Sequence, residues 1–387
     1  IENELFDKDG IELIEDTDSN GNIIVGQTTN AENKIIDKSR GYISHVRGEN
    51  PFTFPIKLYP RNGYTPKPTH EIINSKYVRL DQDKLIKNML FYKNMVDEWQ
   101  YNHIKKYTTE ASGKDDDIEE STAFSSKVTQ ASNFVFPLLG GDGDFIGEIG
   151  DSGFNECLGI NDNKKYFIQD YLTNINGSNK SFLHLDNIGQ FSKKCENIIK
   201  SSLTNRGIGF IFSQYINSGV KIMALALEEN GFSRYIGDDK IDNLLTKDKK
   251  RDLFCAKHLK YYSELDAKTE KPFFCPAKYI LLDGQISKDL LNKLVKESRG
   301  EGKDPNINGE HIKIILGSKV VEQGISLHRV REIHIMDPWY HFNQMEQSAG
   351  RAIRNFSHIK LPDFKDRNVT LYLHIAALPK KMYKKKK

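Results

Sequence analysis

From about residue 185 onward the chain alternates short apolar runs with amphipathic helical patterns, and no other property of it restricts the fold as much. Residues 207–213, 279–282, 311–316, 332–336 and 369–375 read as strands, with helical patterns between them at 215–230, 287–298 and 343–355. Gly231 and Gly300 stand where the first two helices should stop, because glycine adopts the left-handed conformation that ends a helix without a Cβ penalty. Strands alternating with helices predict an α/β fold, a parallel sheet with helices on both faces. Ligands of such sheets gather at the carboxyl ends of the strands.

The upstream half is less regular. Residues 1–40 are acidic and polar, with a turn signal at Ser19-Asn20-Gly21-Asn22, and read as a connector or tail. Residues 41–46 alternate like a strand and lead through Arg47-Gly48-Glu49-Asn50-Pro51-Phe52-Thr53-Phe54-Pro55, an extended loop whose aromatic rings suit core packing or base stacking. Between 80 and 107, Leu85, Met89, Tyr92, Val96 and Trp99 recur at helical spacing and predict one amphipathic helix. Residues 110–122 are charged and predict a mobile loop, and Gly140-Gly141-Asp142-Gly143-Asp144 a second flexible segment. The organisation expected is therefore a connector over 1–40, a mixed helical and irregular region over 41–185, the α/β domain over 186–378 and a basic tail over 379–387.

Composition excludes more than it identifies. With 56 Lys and Arg against 53 Asp and Glu, the net charge of +3 is no argument for a polyanionic partner, although the lysine-rich end, 380–387, could add salt-sensitive phosphate binding. Four irregularly spaced cysteines fit reduced thiols in an intracellular compartment, and no apolar run is long enough to predict a membrane span. The chain opens on Ile1 rather than methionine, which is expected of a fragment, a split gene product or a processed form.

The chemistry concentrates near the end. Asn343 and Glu346 have capping-box spacing, so a helix should begin at Gln344. On it Gln347, Arg351 and Arg354 would share one face while Met345, Ala349 and Ala352 turn to the sheet. Two permanently charged, forked guanidiniums suit phosphate oxygens. A solvated basic helix, or arginines paired to carboxylates, is the alternative. Upstream, Gly317-Ser318-Lys319-Val320-Val321-Glu322-Gln323-Gly324-Ile325-Ser326-Leu327 follows a buried strand, and Phe210-Ile211-Phe212-Ser213-Gln214 ends another with polar side chains.

In order and separation these segments resemble motifs IV, V and VI of superfamily 2 helicases. Ser192-Lys193, Glu229-Asn230-Gly231-Phe232 and Leu282-Asp283-Gly284 look like the second lobe of Swi/Snf-type ATPases. Tyr42-Ile43-Ser44, Arg47-Gly48-Glu49-Asn50-Pro51, Gln130-Ala131-Ser132-Asn133, Gly350-Arg351-Ala352-Ile353-Arg354 and Ser357-His358 resemble large-DNA-virus helicases, poxvirus and giant-virus, related to nucleoside triphosphatase I and the early transcription factor small subunit. The resemblance runs from about residue 40 to 376. It implies a RecA-like second helicase lobe in which Gln347, Arg351 and Arg354 face the γ-phosphate of ATP with its Mg²⁺. Gly324, Ser326 and Gly350 would lie near the nucleotide, and Ser213, Gln214, Ser318 and Lys319 would touch the backbone of DNA or RNA.

An active helicase also needs a first lobe with a phosphate-cradling Gly-x-x-x-x-Gly-Lys-Ser/Thr loop and an acidic Mg²⁺ motif, and this chain has neither. Asp97-Glu98-Trp99-Gln100 imitates a DExQ box in letters but sits in a helical pattern. The chain is therefore expected to be half of a composite ATP site, inactive alone. Its partners would be nucleic acid, an N-terminal RecA-like lobe in cis or from a split gene, and a viral RNA polymerase. Expected surroundings are a host cytoplasm, viral factory or virion, without membrane. The rival reading is a non-catalytic transcription-factor subunit that keeps the lobe to bind nucleic acid or polymerase. Cys255-x-x-His258 with Cys275 offers too few ligands for structural zinc. His184, His311, His334, His341 and His374 read as structural.

Overall fold

The computed structural model describes residues 14–17, 23–26, 53–61, 63–64, 70–73, 76–79, 90–111, 118–175, 177–246, 251–284, 286–300, 306–319, 325–338 and 342–377. The chain divides into two compact units, Ile1–Asn50 and Pro51–Lys387. In the first, Ile14–Thr17 pairs antiparallel with Ile23–Gly26, so the expected connector contains a β-hairpin.

The second unit is built on a nine-stranded sheet. Its strands are β1 (Ile56–Leu58), β2 (Gly63–Tyr64), β3 (Phe91–Met95), β4 (Ile208–Phe212), β5 (Ser233–Arg234), β6 (Lys278–Leu282), β7 (Ile314–Gly317), β8 (Val330–Ile335) and β9 (Asn368–Ala377). The order is β5-β6-β7-β4-β8-β9-β3-β2, with β1 also beside β9. Every pairing is parallel except β2 with β3. Among the described residues the α-helices are α1 (Glu98–Ala111), α2 (Ile118–Asn133), α3 (Gly150–Cys157), α4 (Leu185–Phe191), α5 (Lys193–Thr204), α6 (Ile222–Glu229), α7 (Lys288–Ser298) and α8 (Phe342–Ala349).

Both faces of the sheet are buried, which is why its central strands are continuously apolar. Ile211, Leu281, Ile314 and Leu316 point to one face, where Ile198 and Ile199 of α5 and Ile222–Leu227 of α6 cover them. Phe210, Phe212, Ile280, Leu282, Ile315 and Ile333 point to the other, under Leu291, Leu294 and Val295 of α7 and Met345 and Ala349 of α8. Each such aliphatic side chain contributes about 1.5–3 kcal/mol by leaving water. Helix α7 shows how the sequence sets this up: Ser287 Oγ accepts from Leu290 N at 3.3 Å, and Gly300 closes the helix at φ +65°. The α/β architecture is the one the alternation predicts.

The upstream half departs from expectation. The pattern read as one helix over 80–107 is strand β3 followed by α1; residues 81–89 lie outside the described residues. Tyr92 to Met95 pair with His374 to Ala377 of β9, and the Asp97 carboxylate accepts from Trp99 N at 2.9 Å, starting the helix only there. Of the supposed mobile loop over 110–122, residues from Ile118 onward belong to α2. The glycine-rich segment is the turn of a hairpin, Phe136–Leu139 with Phe145–Glu148, closed by Gly140 N donating to Asp144 O at 2.8 Å. Phe134, Phe136, Phe154, Leu172 and Phe182 share one core with Ile198, Ile211 and Leu316, so no break in packing falls at 185/186. The expected strand and loop over 41–52 and the basic tail lie outside the described residues.

Candidate functional site

After β4 the chain passes through α6 towards β5 on one side of the sheet, and after β8 it passes through α8 towards β9 on the other. The carboxyl ends of these neighbouring strands are thus a topological switch point, where no crossover helix covers the crevice. The ladder continues past the strands: Ser213 N donates to Gly317 O at 3.2 Å, Ser318 N to Leu282 O at 3.1 Å and Met336 N to Phe212 O at 2.9 Å.

A buried polar cluster ties these ends together. Asp337, just beyond β8, accepts from Gln214 N at 2.9 Å and from Asn133 Nδ2 at 3.3 Å, and the Ser213 hydroxyl bonds to it as well. Lys194 Nζ donates to Met336 O at 2.6 Å, Asn133 Oδ1 at 2.9 Å and Ser132 Oγ at 3.1 Å. Burial pulls the Lys194 ammonium down to about 8, with Asp337 opposing, and burial raises the Asp337 carboxyl against its hydrogen bonds. Gly219 is required here, since a Cβ would lie 2.2 Å from Ser213 Oγ. Ser213 and Ser318 are only 0% and 2% exposed, so neither side chain faces solvent, and the Ser213 hydroxyl is used inside the protein, at Asp337 and Tyr215 N. Of the four residues assigned that contact, half-buried Gln214 and exposed Lys319 reach the surface.

The arginine segment is not one helical face. Helix α8 ends at Ala349 rather than 355, because the next carbonyls are claimed from outside the helix. Leu327 N donates to Arg351 O at 2.8 Å, and Ser357 Oγ to Ala352 O at 3.1 Å. The chain tightens as it leaves, with Arg351 N on Ser348 O at 3.3 Å, and Gly350 fits where a Cβ would meet Glu346 O at 2.9 Å. Met345, Ala349 and Ala352 do turn to the core, as expected.

This turn brings Arg354, Ser326 and Gly350 together. Arg354 Nη1 donates to Ser326 Oγ at 2.5 Å and Nε to Gly350 O at 3.1 Å, and burial, then the charge of Arg351, lowers its pKa. Arg351 is 9% exposed, and Gln347, on the last turn of α8, is exposed. Gly324 lies outside the described residues.

Sequence reasoning missed the residues that aim this pair. Arg299, at the end of α7, donates Nη2 to Ser326 O at 2.6 Å, while Arg329 donates to Arg299 O and to Asn306 O. His358 Nε2 donates to Val330 O at 2.6 Å, its Nδ1 lies 2.8 Å from Ser357 Oγ, and burial lowers its pKa to about 4. Isolated arginines at a helix end or strand start carry no spacing signal; Ser357-His358 carried one only through resemblance.

Residues 238–356 match the model of the helicase conserved C-terminal domain. That stretch is similar to a helicase C-terminal domain. A putative ATP-dependent RNA helicase of Acanthamoeba polyphaga mimivirus is 25% identical over 362 residues, 84% of this chain and 29% of that protein. A termination factor NPH-I homolog of African swine fever virus is 29% identical over 202 residues, 50% of this chain and 27% of that protein. An early transcription factor large subunit homolog of the same virus is 25% identical over 214 residues, 53% of this chain and 18% of that protein. That last relative is of the large subunit, where the motif resemblance pointed to the small one. The chain spans less than a third of the length of each of these relatives.

The matched stretch contains Arg299, Ser326, Arg329, Arg351 and Arg354, whereas Asn133, Lys194, Ser213 and Gln214 precede it. The DExQ imitation serves the scaffold. Gln100 is buried, donating to Ala131 O at 3.2 Å and accepting from Lys193 N at 3.2 Å, and so ties α1 to α2 and α5. Cys255 Sγ lies 3.1 Å from His258 Nδ1, while Cys275 Sγ bonds to Glu310 O at 2.9 Å. Among the described residues no group of three His, Cys, Asp or Glu could hold a metal ion. His334 Nδ1 and His374 Nε2 share a hydrogen bond at 3.0 Å inside the sheet, and both rings are buried.

Proposed function

We propose that this chain is the second lobe of an ATP-dependent nucleic-acid helicase or translocase, acting in viral transcription or genome metabolism. It supplies the arginine side of an ATP site whose phosphate-cradling side lies on another lobe, in the same polypeptide or a separate one. The observation that carries this reading is the Arg354–Ser326 pair. A guanidinium whose described partners, Ser326 Oγ and Gly350 O, are both neutral keeps its charge uncompensated by any carboxylate among the described residues. The neighbouring charge of Arg351 makes the spot more cationic, which suits the transition-state charge of a transferred phosphoryl group.

Arg354 is assigned as the finger, with Arg351 supporting it and Gln347 at the rim. Ser326 and Gly350 are assigned to the nucleotide-facing loop, as is Gly324, which lies outside the described residues. The donor set fits the triphosphate and not Mg²⁺, which takes oxygen ligands that the first lobe would have to bring. When bound, Mg²⁺ would neutralise phosphate charge there. Gln214 and Lys319 are assigned to the strand of DNA or RNA. No helix among the described residues is long and apolar enough to cross a membrane. A host cytoplasm, viral factory or virion suits this reading, with a viral RNA polymerase as partner.

The test is to measure strand binding and ATP turnover of this chain alone. Salt-sensitive binding of a single strand with negligible turnover is expected. Robust strand-stimulated turnover that vanishes in Arg354→Ala would overturn the half-site claim while keeping the arginine's role. The non-catalytic transcription-factor reading, favoured by the early-transcription-factor relative, requires instead that joining a first lobe restores no turnover.

A further inference from the structure

The last turn of α2, Gln130-Ala131-Ser132-Asn133, precedes the helicase-domain match yet bonds both to the segment that follows β4 and to Asp337 beyond the end of β8. On the strand-contact side, Gln130 Oε1 accepts from Ser218 Oγ at 3.0 Å, and Ser126, one turn earlier, meets the Tyr215 hydroxyl at 3.2 Å. Together they hold the loop that follows β4 and carries Gln214. On the β8 side, Asn133 donates to Asp337 at 3.3 Å and accepts from Lys194 at 2.9 Å, and Lys194 holds Met336 O at the end of β8. From there the chain enters α8 and the arginine turn. The hub itself is anchored, because Ser192 Oγ donates to Asn133 O at 2.5 Å while capping α5 through Cys195 N at 3.1 Å.

Asn133, Lys194, Ser213 and Asp337 are all at most 3% exposed. A polar cluster buried this deeply is costly to leave half-satisfied, so it resists intermediate arrangements and shifts as a unit. Asp337 is the shared member: one carboxylate oxygen faces Asn133 and the other holds Gln214 N. A displacement of the β4 loop is therefore felt at the end of β8.

We propose that Asn133 is a positioning residue that couples the strand-contact loop after β4 to the arginine turn after α8, so that engagement of nucleic acid sets the aim of Arg354. This rests on the function proposed above. It assigns to a turn upstream of the helicase domain the transmission between strand and nucleotide within one lobe.

The test is hydrogen–deuterium exchange of the whole chain with and without a single-stranded oligothymidylate longer than the roughly 4–16 nucleotides of a typical binding site. In the wild type, strand binding should slow exchange at 213–218 and also at 345–358. Asn133→Ala should retain strand binding within about threefold, an energy of about 0.7 kcal/mol, and lose the protection at 345–358. Gln130→Ala, at a half-buried position, removes the bonds to Ser218 and Ser126 and leaves those of Asn133, and should weaken the same distant protection if Asn133→Ala does not fold. Distant protection that persists in a folded variant, whatever its Tm, overturns the coupling and leaves the function standing, as does wild-type binding with protection at 213–218 alone. A wild-type chain that binds no strand overturns the function, and the coupling with it.

Discussion

His358 makes the arginine turn acid-sensitive in a way that can be calculated. Its ring is 1% exposed, donates to Val330 O at the start of β8, and lies against Ser357, whose hydroxyl holds Ala352 O. Burial lowers its pKa from 6.5 to about 4, with Arg331, His328 and Arg329 adding repulsion. Because the folded pKa lies below the unfolded one, the unfolded chain binds more protons between these values. Stability is therefore complete above about pH 6.5 and falls as pH drops towards 4. At about pH 5 the linkage amounts to roughly 2 kcal/mol from this ring alone. His358→Gln keeps an amide donor for Val330 O and cannot take up the proton. Urea denaturation at about pH 7 and pH 5 should show the wild type losing roughly 2 kcal/mol more than the variant over that interval. His374 and His184, also lowered by burial, titrate in both proteins and cancel in the difference. Parallel losses in the two proteins would refute the assignment of the linkage to His358.

Other perturbations separate chemistry from scaffold. In a protein that joins this lobe to its phosphate-cradling partner, Arg354→Ala should lower strand-dependent ATP turnover by about 10³-fold or more while strand affinity changes little; steady-state kinetics beside a binding titration checks both. Lys319→Ala should reduce the slope of log affinity against log salt by about 0.7 for a single strand, because one phosphate contact is lost; fluorescence anisotropy across a salt series reads it. Gly231→Ala should cost roughly 2–4 kcal/mol in denaturant unfolding. Gly231 sits at φ +90°, and a Cβ would lie 2.5 Å from Asp252 O, where the chain crosses the end of α6.

The lobe was legible where local pattern and tertiary packing agree. Strands β4, β6 and β7 are almost wholly apolar because both faces are covered, whereas β8 and β9 interleave Arg331, Glu332, His334, Thr370, Tyr372 and His374 with apolar residues; the ends of all five fell within a few residues of expectation. Strand β5 is two residues long and left no pattern to read. Strand β3 failed for the opposite reason: Tyr92, Val96 and Trp99 repeat at helical spacing, but long-range pairing with β9 decides the conformation of 91–95. The charged residues after Ile118 form a helix that carries a polar hub, so low apolar content there did not mean disorder. Of the site, residue types were legible and exposure was not. Ser213 and Ser318 have the right chemistry for a phosphate backbone but are buried, a distinction that needs Asp337 and Gly219 in space.

The early end of α8 changes what controls the arginines. On a continuous helix, Arg351 and Arg354 would be aimed by the docking of α8 on the sheet, through Met345, Ala349 and Ala352. Past Ala349 the helix no longer dictates direction, and Arg354 is aimed by its acceptors, Ser326 Oγ and Gly350 O. Ser326 is in turn fixed by Arg299, and Arg299 by Arg329, so the chain of control runs back along the β7–β8 connection to the end of α7. One input therefore reaches the guanidinium through the Arg299–Ser326 strap, and on the coupling proposed above a second arrives at Gly350 O from the end of α8. A guanidinium held by neutral acceptors on two independent supports can be withdrawn from or presented to a phosphate by small shifts of either, without unfolding a helical turn. Such an arrangement suits the role proposed above, in which the arginine acts only when nucleotide and strand are both in place.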